Sequence, residues 1–231
     1  MSIATEEPAS RAEVEIGPEQ RLDFDGISWD RYLAMSDAFP DHAGARMVYI
    51  DGRLTFATTS RRHDFLSDCL GDIVKAIAIA TGLGYAVAGR ATFRRQELGV
   101  GVEGDETFYL GENARRMRGG INIDLATQPP PDLVIEVEVS NPADLSIAAW
   151  GRLGVPEVWR LKVNSWELEF LVRQPGGNYL PQGQSVGLST LTPIEVLELL
   201  HAAEKMDSAP WYVEMHEWVR NVLMLRQQES P

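Results

Sequence analysis

The chain has 231 residues, 44% of them hydrophobic and 24% charged, which is the size and balance of one ordinary globular domain and not of a disordered chain. Its formal charge of −13 comes from 34 acids and 21 bases, and on its face this argues against a polyanionic partner, because phosphate backbones are held by surplus Lys and Arg. No apolar run of roughly eighteen residues occurs, acids stand where a signal peptide needs basic and then apolar residues, and Cys69 is the only cysteine. A membrane span, a secretory leader and a cysteine-built metal or disulfide site are thereby excluded, and a cytoplasmic protein is expected.

In chain order, residues 1–25 carry seven acids, two arginines and two prolines with little apolar periodicity, and they are expected to form a flexible acidic leader. Ser28 is a good N-cap for a helix from Trp29 to Ala38 that stops before Pro40. Met47–Ile50 and Leu54–Phe56 flank Asp51-Gly52, the strongest short hairpin signal. Ser60 caps a long amphipathic helix in which Phe65, Leu66, Cys69, Leu70, Ile73, Val74 and Ile77 recur at helical spacing up to Gly82 and Gly84. Strands are expected at Tyr85–Ala88, Ala91–Arg94 and Thr107–Leu110, with an acid-rich turn at 101–106 and a polar Arg/Gly stretch from Glu112 to Gly120. Three prolines, 129–131, then lead into Asp132–Val139, which reads as a buried central strand. A helix from Pro142 to Leu153, a strand pair at Glu157–Val163 and Glu167–Arg173, and a turn at Pro175–Asn178 follow. From Thr192 the chain is helical, with an apolar stripe through Trp211, Met215, Trp218 and Val222 that suits packing on the core or at a homodimer interface.

The strand at 132–139 carries the chemistry. Glu136 and Glu138 are two residues apart, so both side chains point to one face. Paired carboxylates repel unless a cation lies between them, and hard oxygen donors suit Mg²⁺ or Mn²⁺. Asp105 lies 31 residues before Glu136, enough chain to place the two on neighbouring strands.

Pro131-Asp132-Leu133-Val134-Ile135-Glu136-Val137, then Ser140, then Leu153-Gly154-Val155-Pro156-Glu157-Val158-Trp159 resembles the signature of the Uma family of restriction endonucleases, within the PD-(D/E)xK nuclease superfamily. Arg46–Phe56 is similar to that family's opening hairpin, Ser60–His63 to its Ser-x-x-His helix start, and Asp105–Tyr109 to its Asp-x-x-Phe-Tyr strand. The resemblance covers about residues 27–190. It implies a mixed α/β restriction-endonuclease-like domain at 26–191, a mixed central sheet flanked by helices, with 192–231 a C-terminal helical extension. It also implies a metal-dependent DNA endonuclease acting on duplex. Asp105 and Glu136 would bind Mg²⁺ or Mn²⁺, with the Val137 carbonyl as a further ligand and Asp132 merely starting the strand. Glu138 occupies the motif's lysine position, as a second-metal ligand or general base, and Gly104 replaces the proline before Asp105.

The chain has three lysines, Lys75, Lys162 and Lys205, and Lys162 is the first candidate for a migrated catalytic lysine. His63 would face the site, contacting phosphate or assisting proton transfer, or else be a helix-terminal residue on a solvated face. Asp64 or Asp68 could add a helix acid, and Arg90, Arg94, Arg95, Arg115, Arg116 and Arg118 could form a phosphate-gripping rim or a set of solvated loop charges. The competing functional reading is a catalytically decayed nuclease fold kept as a binding or assembly module, motivated by Glu138. Of the total charge, the segment 26–191 carries only 20 acids against 16 bases, so the objection to nucleic acid falls from a veto to a caution.

Overall fold

The computed structural model describes residues 19–39, 45–117, 123–188, 190–223 and 225–226. The expected leader up to residue 18, and Arg118, lie outside the described residues. The elements are β1 (Arg21–Phe24), α1 (Trp29–Ala38), β2 (Ala45–Ile50), β3 (Arg53–Thr58), α2 (Arg61–Thr81), β4 (Tyr85–Val87), β5 (Thr92–Arg95), β6 (Val100–Glu103), β7 (Glu106–Leu110), α3 (Gly111–Arg116), β8 (Leu133–Glu138), α4 (Asp144–Leu153), β9 (Glu157–Lys162), β10 (Glu167–Arg173), β11 (Tyr179–Gln182), α5 (Pro193–Lys205) and α6 (Ser208–Trp218).

Local chemistry accounts for most boundaries. Ser28 accepts a hydrogen bond from Arg31 N–H and Ser60 one from His63 N–H, satisfying orphan donors at the starts of α1 and α2. Gly82 ends α2 at φ +70°. The β2–β3 register pairs Ile50 with Arg53, leaving Asp51 and Gly52 at φ +46° and +90°, a two-residue turn with both centres left-handed. Thr192 and Glu195 cap α5 reciprocally, with Pro193 just inside it.

The fold is mixed α/β, as expected, with two sheets flanked by helices. The first, in the order β1-β3-β2-β6-β5, is antiparallel throughout. The second, β11-β10-β9-β8-β7-β4, contains one parallel pair, β8 with β9, joined by a crossover through α4. The chain passes between sheets at Gly104-Asp105, where β6 gives way to β7. One face of the second sheet (Phe108, Ile135, Trp159, Phe170) packs under α2 and the C-terminal helices. Its other face (Val134, Val158, Leu171) meets Trp150 of α4 and Val48, Val100 and Val102 of the first sheet. A smaller cluster seats Tyr32 of α1 against Met47, Tyr49 and Leu54.

Several expectations are corrected here. Arg21–Phe24, assigned to the leader, is an edge strand paired with β3; its mixed charge suits an edge and hides it from a composition test. Val100–Glu103 is a strand inside the first sheet, not part of a turn. Gly101 interrupts its pattern because the Tyr32 hydroxyl lies 2.0 Å from where a Cβ would stand. The polar stretch opens with α3, and β11 adds an edge strand after the 175–178 turn. Trp211, Met215, Val219 and Leu223 are buried against the chain's own core, the first of the two placements that the C-terminal stripe suited.

Candidate active site

The register of β7 on β8 decides the geometry. Glu106 pairs with Ile135 and Thr107 with Val134, so Asp105, one residue earlier, falls opposite Glu136, and its N–H donates to the Ile135 carbonyl at 3.3 Å. Both acids are buried, 4% and 5% exposed, and both line one cleft together with Arg46, His63, Glu103 and Asn141.

Asp105 Oδ2 accepts from the Val137 N–H at 2.8 Å and lies 3.0 Å from His63 Nε2, while Oδ1 is 3.5 Å from Arg46 Nε. The Ser60 cap sets His63 in the first turn of α2, where its ring is buried and its Nδ1 is 3.4 Å from Asp64 Oδ1. Burial would lower the His63 pKa, but the charge and hydrogen bond of Asp105, backed by Glu19 and Asp64, raise it above its ordinary value. Burial likewise pushes Asp105 up, yet His63, Arg46 and the Val137 N–H overcome that and hold it below the usual carboxylate range. Glu136 goes the other way. Burial and then the neighbouring Asp105 charge push it well above its ordinary value, against the opposing pull of the Trp150 indole N–H at 2.6 Å and of Arg46. The surroundings thus push the two adjacent carboxylates in opposite directions, Asp105 down and Glu136 up.

The remaining candidates are not brought to this point. Glu138 shares the face of Glu136, but its Oε1 accepts from Arg160 Nε at 2.6 Å and from the Ala143 N–H at 2.7 Å, tying β8 to β9 and to the start of α4; it does not line the cleft. Lys162, beside Glu138 in register, is held by Glu167 and Glu169 at 3.2 and 2.9 Å, so it does not replace the missing motif lysine. Arg90 pairs with Asp64 and Asp68, Arg94 with Asp37, Arg95 with Glu97, and Arg115 and Arg116 with Glu112. These arginines are partnered one by one and do not form a rim around the cleft. Asp132 accepts from the Leu110 N–H and from Asn113, a structural role at the β7–α3 junction.

Residue-type reasoning missed Arg46, Trp150, Glu19 and Asn141. Glu19 accepts from the Ser60 and Ser140 N–H groups, joining the start of α2 to the loop after β8. Arg46 gave one signal, a charge at the head of the apolar run Met47–Ile50, and Trp150 another, the one large polar-tipped ring in a helix of small residues.

The chemistry of the donors fits a hard divalent cation with two protein carboxylates, not three. Among the described residues no group of three or more His, Cys, Asp or Glu side chains is placed to hold a metal ion. Mg²⁺ rarely uses an all-protein cage and is ordinarily held by one or two carboxylates, completed by water and substrate phosphate. The buried Asp105–Glu136 pair is also a carboxylate pair that a nearby dication would relieve electrostatically.

The two-sheet α/β fold sets two buried acids side by side, Asp105 in the bend that leads into β7 and Glu136 on β8. The Uma2 family model, described as "Putative restriction endonuclease", matches residues 29–204, and the chain belongs to that family. Among solved structures, one described as a "putative nuclease belonging to DUF820" from Anabaena variabilis ATCC 29413 is similar at 15% identity and a TM-score of 0.49, covering 75% of this chain and 99% of its own. No curated protein matches the sequence. Among the described residues no helix is long and apolar enough to cross a membrane.

Proposed function

We propose that this chain is a DNA phosphodiesterase assisted by a divalent cation, Mg²⁺ or Mn²⁺, at Asp105 and Glu136. The observation that carries it is the β7–β8 register, which brings two buried carboxylates together in one cleft of a restriction-endonuclease family member. Bound there, the ion would polarise the scissile phosphate and make water a better nucleophile at neutral pH.

The chain's own residues prepare that position. His63 and Arg46 keep Asp105 ionised. Trp150 fixes one oxygen of Glu136, leaving its second oxygen as the metal-facing atom in this reading, with the Val137 carbonyl as a further donor. His63 has a carboxylate near each ring nitrogen, so it acts as a cation that positions Asp105 and not as the base. Glu138 serves the architecture through Arg160. Duplex DNA is the substrate, and cutting both strands calls for a two-fold pair of chains that meet elsewhere than on the C-terminal stripe. A cytoplasmic setting agrees with the lone, buried Cys69 thiol.

Supercoiled plasmid tests this reading. The native chain should nick or linearise it in millimolar Mg²⁺ or Mn²⁺ and not in EDTA, and Glu136→Ala should lose at least about a hundredfold in rate, the scale of one lost transition-state contact. Absence of cleavage by the native chain in either metal overturns it. One observation favours the decayed-module alternative, the Glu138–Arg160 pair where the motif has its lysine. That alternative requires that millimolar Mn²⁺ leave the melting temperature unmoved, whereas a competent site is stabilised by mass action.

A further inference from the structure

We infer that Arg46, with Asn141, forms the phosphate-binding element of this cleft and takes over the cationic role that a lysine at position 138 would have filled. The inference rests on the nuclease reading for its substrate, but its evidence is independent of the carboxylates.

Three basic side chains line the cleft among the described residues: Arg21, Arg46 and His63. Arg21 is engaged by Asp23 and by the Pro142 carbonyl. His63 is taken up by Asp105 and Asp64. Arg46 differs. It is 9% exposed, and both its Nε and its Nη2 are buried without a hydrogen-bond partner. The 3.5 Å approach of Nε to Asp105 Oδ1 supplies charge compensation without hydrogen-bond geometry. A buried guanidinium with idle donors is costly, since an unmet buried donor loses its hydration with nothing in return, and a charged group loses more than a neutral one. Asn141 Nδ2, in the loop between β8 and α4, also belongs to the cleft lining and is likewise buried without a partner. The cleft lining therefore holds unmet donors on β2 of one sheet and on the loop after β8 of the other, and a guanidinium fork suits paired phosphate oxygens.

The placement follows from the fold. Arg46 is on β2, paired with Ala57 of β3, while Asn141 follows the strand that carries Glu136. A phosphodiester held by them would share the cleft with Asp105 and Glu136, which Glu138 does not line. Position 138 cannot serve, because its carboxylate neutralises Arg160. Lys162 cannot, because Glu167 and Glu169 hold it.

The test is equilibrium binding of a fluorescent duplex of defined length, in Ca²⁺ and separately in EDTA, over a series of KCl concentrations. Loss of one phosphate contact flattens the slope of log affinity against log salt by about one and weakens binding uniformly across sequences. Arg46→Met should bind about tenfold more weakly with that flatter slope. Arg46→Lys should keep the slope and lose about threefold. Asn141→Ala, on a loop, should lose about threefold with the slope unchanged, because the amide is neutral. An Arg46→Met affinity and slope equal to native overturn the inference. If Arg46→Met does not fold, Asn141→Ala carries the test, and its unchanged affinity overturns it. A native chain that fails to cut plasmid yet shows the Arg46 slope change would retain the phosphate site while the nuclease reading falls; cleavage with no Arg46 effect on binding would do the reverse.

Discussion

Glu136 carries an electrostatic cost, buried beside the Asp105 charge, and that cost is readable as a stability change. Its folded pKa is raised, so above its ordinary value the fold disfavours the ionised form that the unfolded chain adopts freely, and the penalty is relieved as pH falls. Glu136→Gln keeps an oxygen for the Trp150 N–H and removes the charge. It should therefore be more stable than native by about 1 kcal/mol at neutral pH in urea melts, while being inactive, the usual trade at a strained site; a destabilised variant would contradict this. The His63–Asp105 pair has the opposite character. The raised histidine contributes fully below its ordinary 6.5 and fades as pH climbs through the folded value; the lowered aspartate contributes fully above 3.8 and fades as pH falls through its own. The pair thus stabilises most between those ordinary values. His63→Ala should cost roughly 3 kcal/mol in that window and flatten the alkaline side of the stability profile; a profile parallel to native would count against the pairing. As candidates, Glu136 was legible from type and spacing, and Asp105 and His63 chiefly through the family resemblance. Arg46 was not, since its importance lies in what it fails to bond, a property of packing alone.

At the scale of elements, the Gly-Val-Pro-Glu-Val-Trp stretch is structural. Glu157 opens β9 fully buried; one oxygen accepts from the Trp159 indole at 2.8 Å, and the other from the Ser185 hydroxyl and the Val186 and Gly187 N–H groups. It pins the 185–187 loop to the second sheet. An amide offers only one acceptor atom for four donors, so Glu157→Gln should cost about 2 kcal/mol with metal binding intact, measured by urea unfolding and Mn²⁺ titration on the same sample. Loss of metal binding at unchanged stability would contradict this structural role. Gly104 is explained in the same way. A Cβ there would sit 2.8 Å from Thr107 and 3.1 Å from the Trp150 ring that holds Glu136, so the glycine that departs from the family's proline makes room for tryptophan. Helices capped by Ser28, Ser60 and Thr192 were legible from local chemistry, as was the Asp51-Gly52 hairpin. β6 was not, because Gly101 breaks its alternation to admit Tyr32, a contact from a helix some seventy residues earlier.

Across the whole molecule, the two sheets share an apolar layer through Trp150 and Val48, and the crossing at Gly104-Asp105 turns that junction into the cleft. The sequence distinguished a mixed α/β fold and the β9–β10 strand pair, but not the parallel pairing of β8 with β9 or the division into two sheets, because strand partners depend on long-range register and not on periodicity. The overall charge weighs against nucleic acid, whereas the proposed site rests on a buried guanidinium and a carboxylate pair, neither of which a net charge reports. The central claim is that Asp105 and Glu136 jointly hold one divalent ion. Mn²⁺ binding to the native chain, followed by the loss of free-ion electron paramagnetic resonance signal, measures it directly. The expected result is one Mn²⁺ per chain, weakened at least about tenfold by Asp105→Asn or Glu136→Gln and changed less than about twofold by Glu138→Gln. Absence of stoichiometric binding, or binding lost with Glu138→Gln and kept with Glu136→Gln, would contradict it.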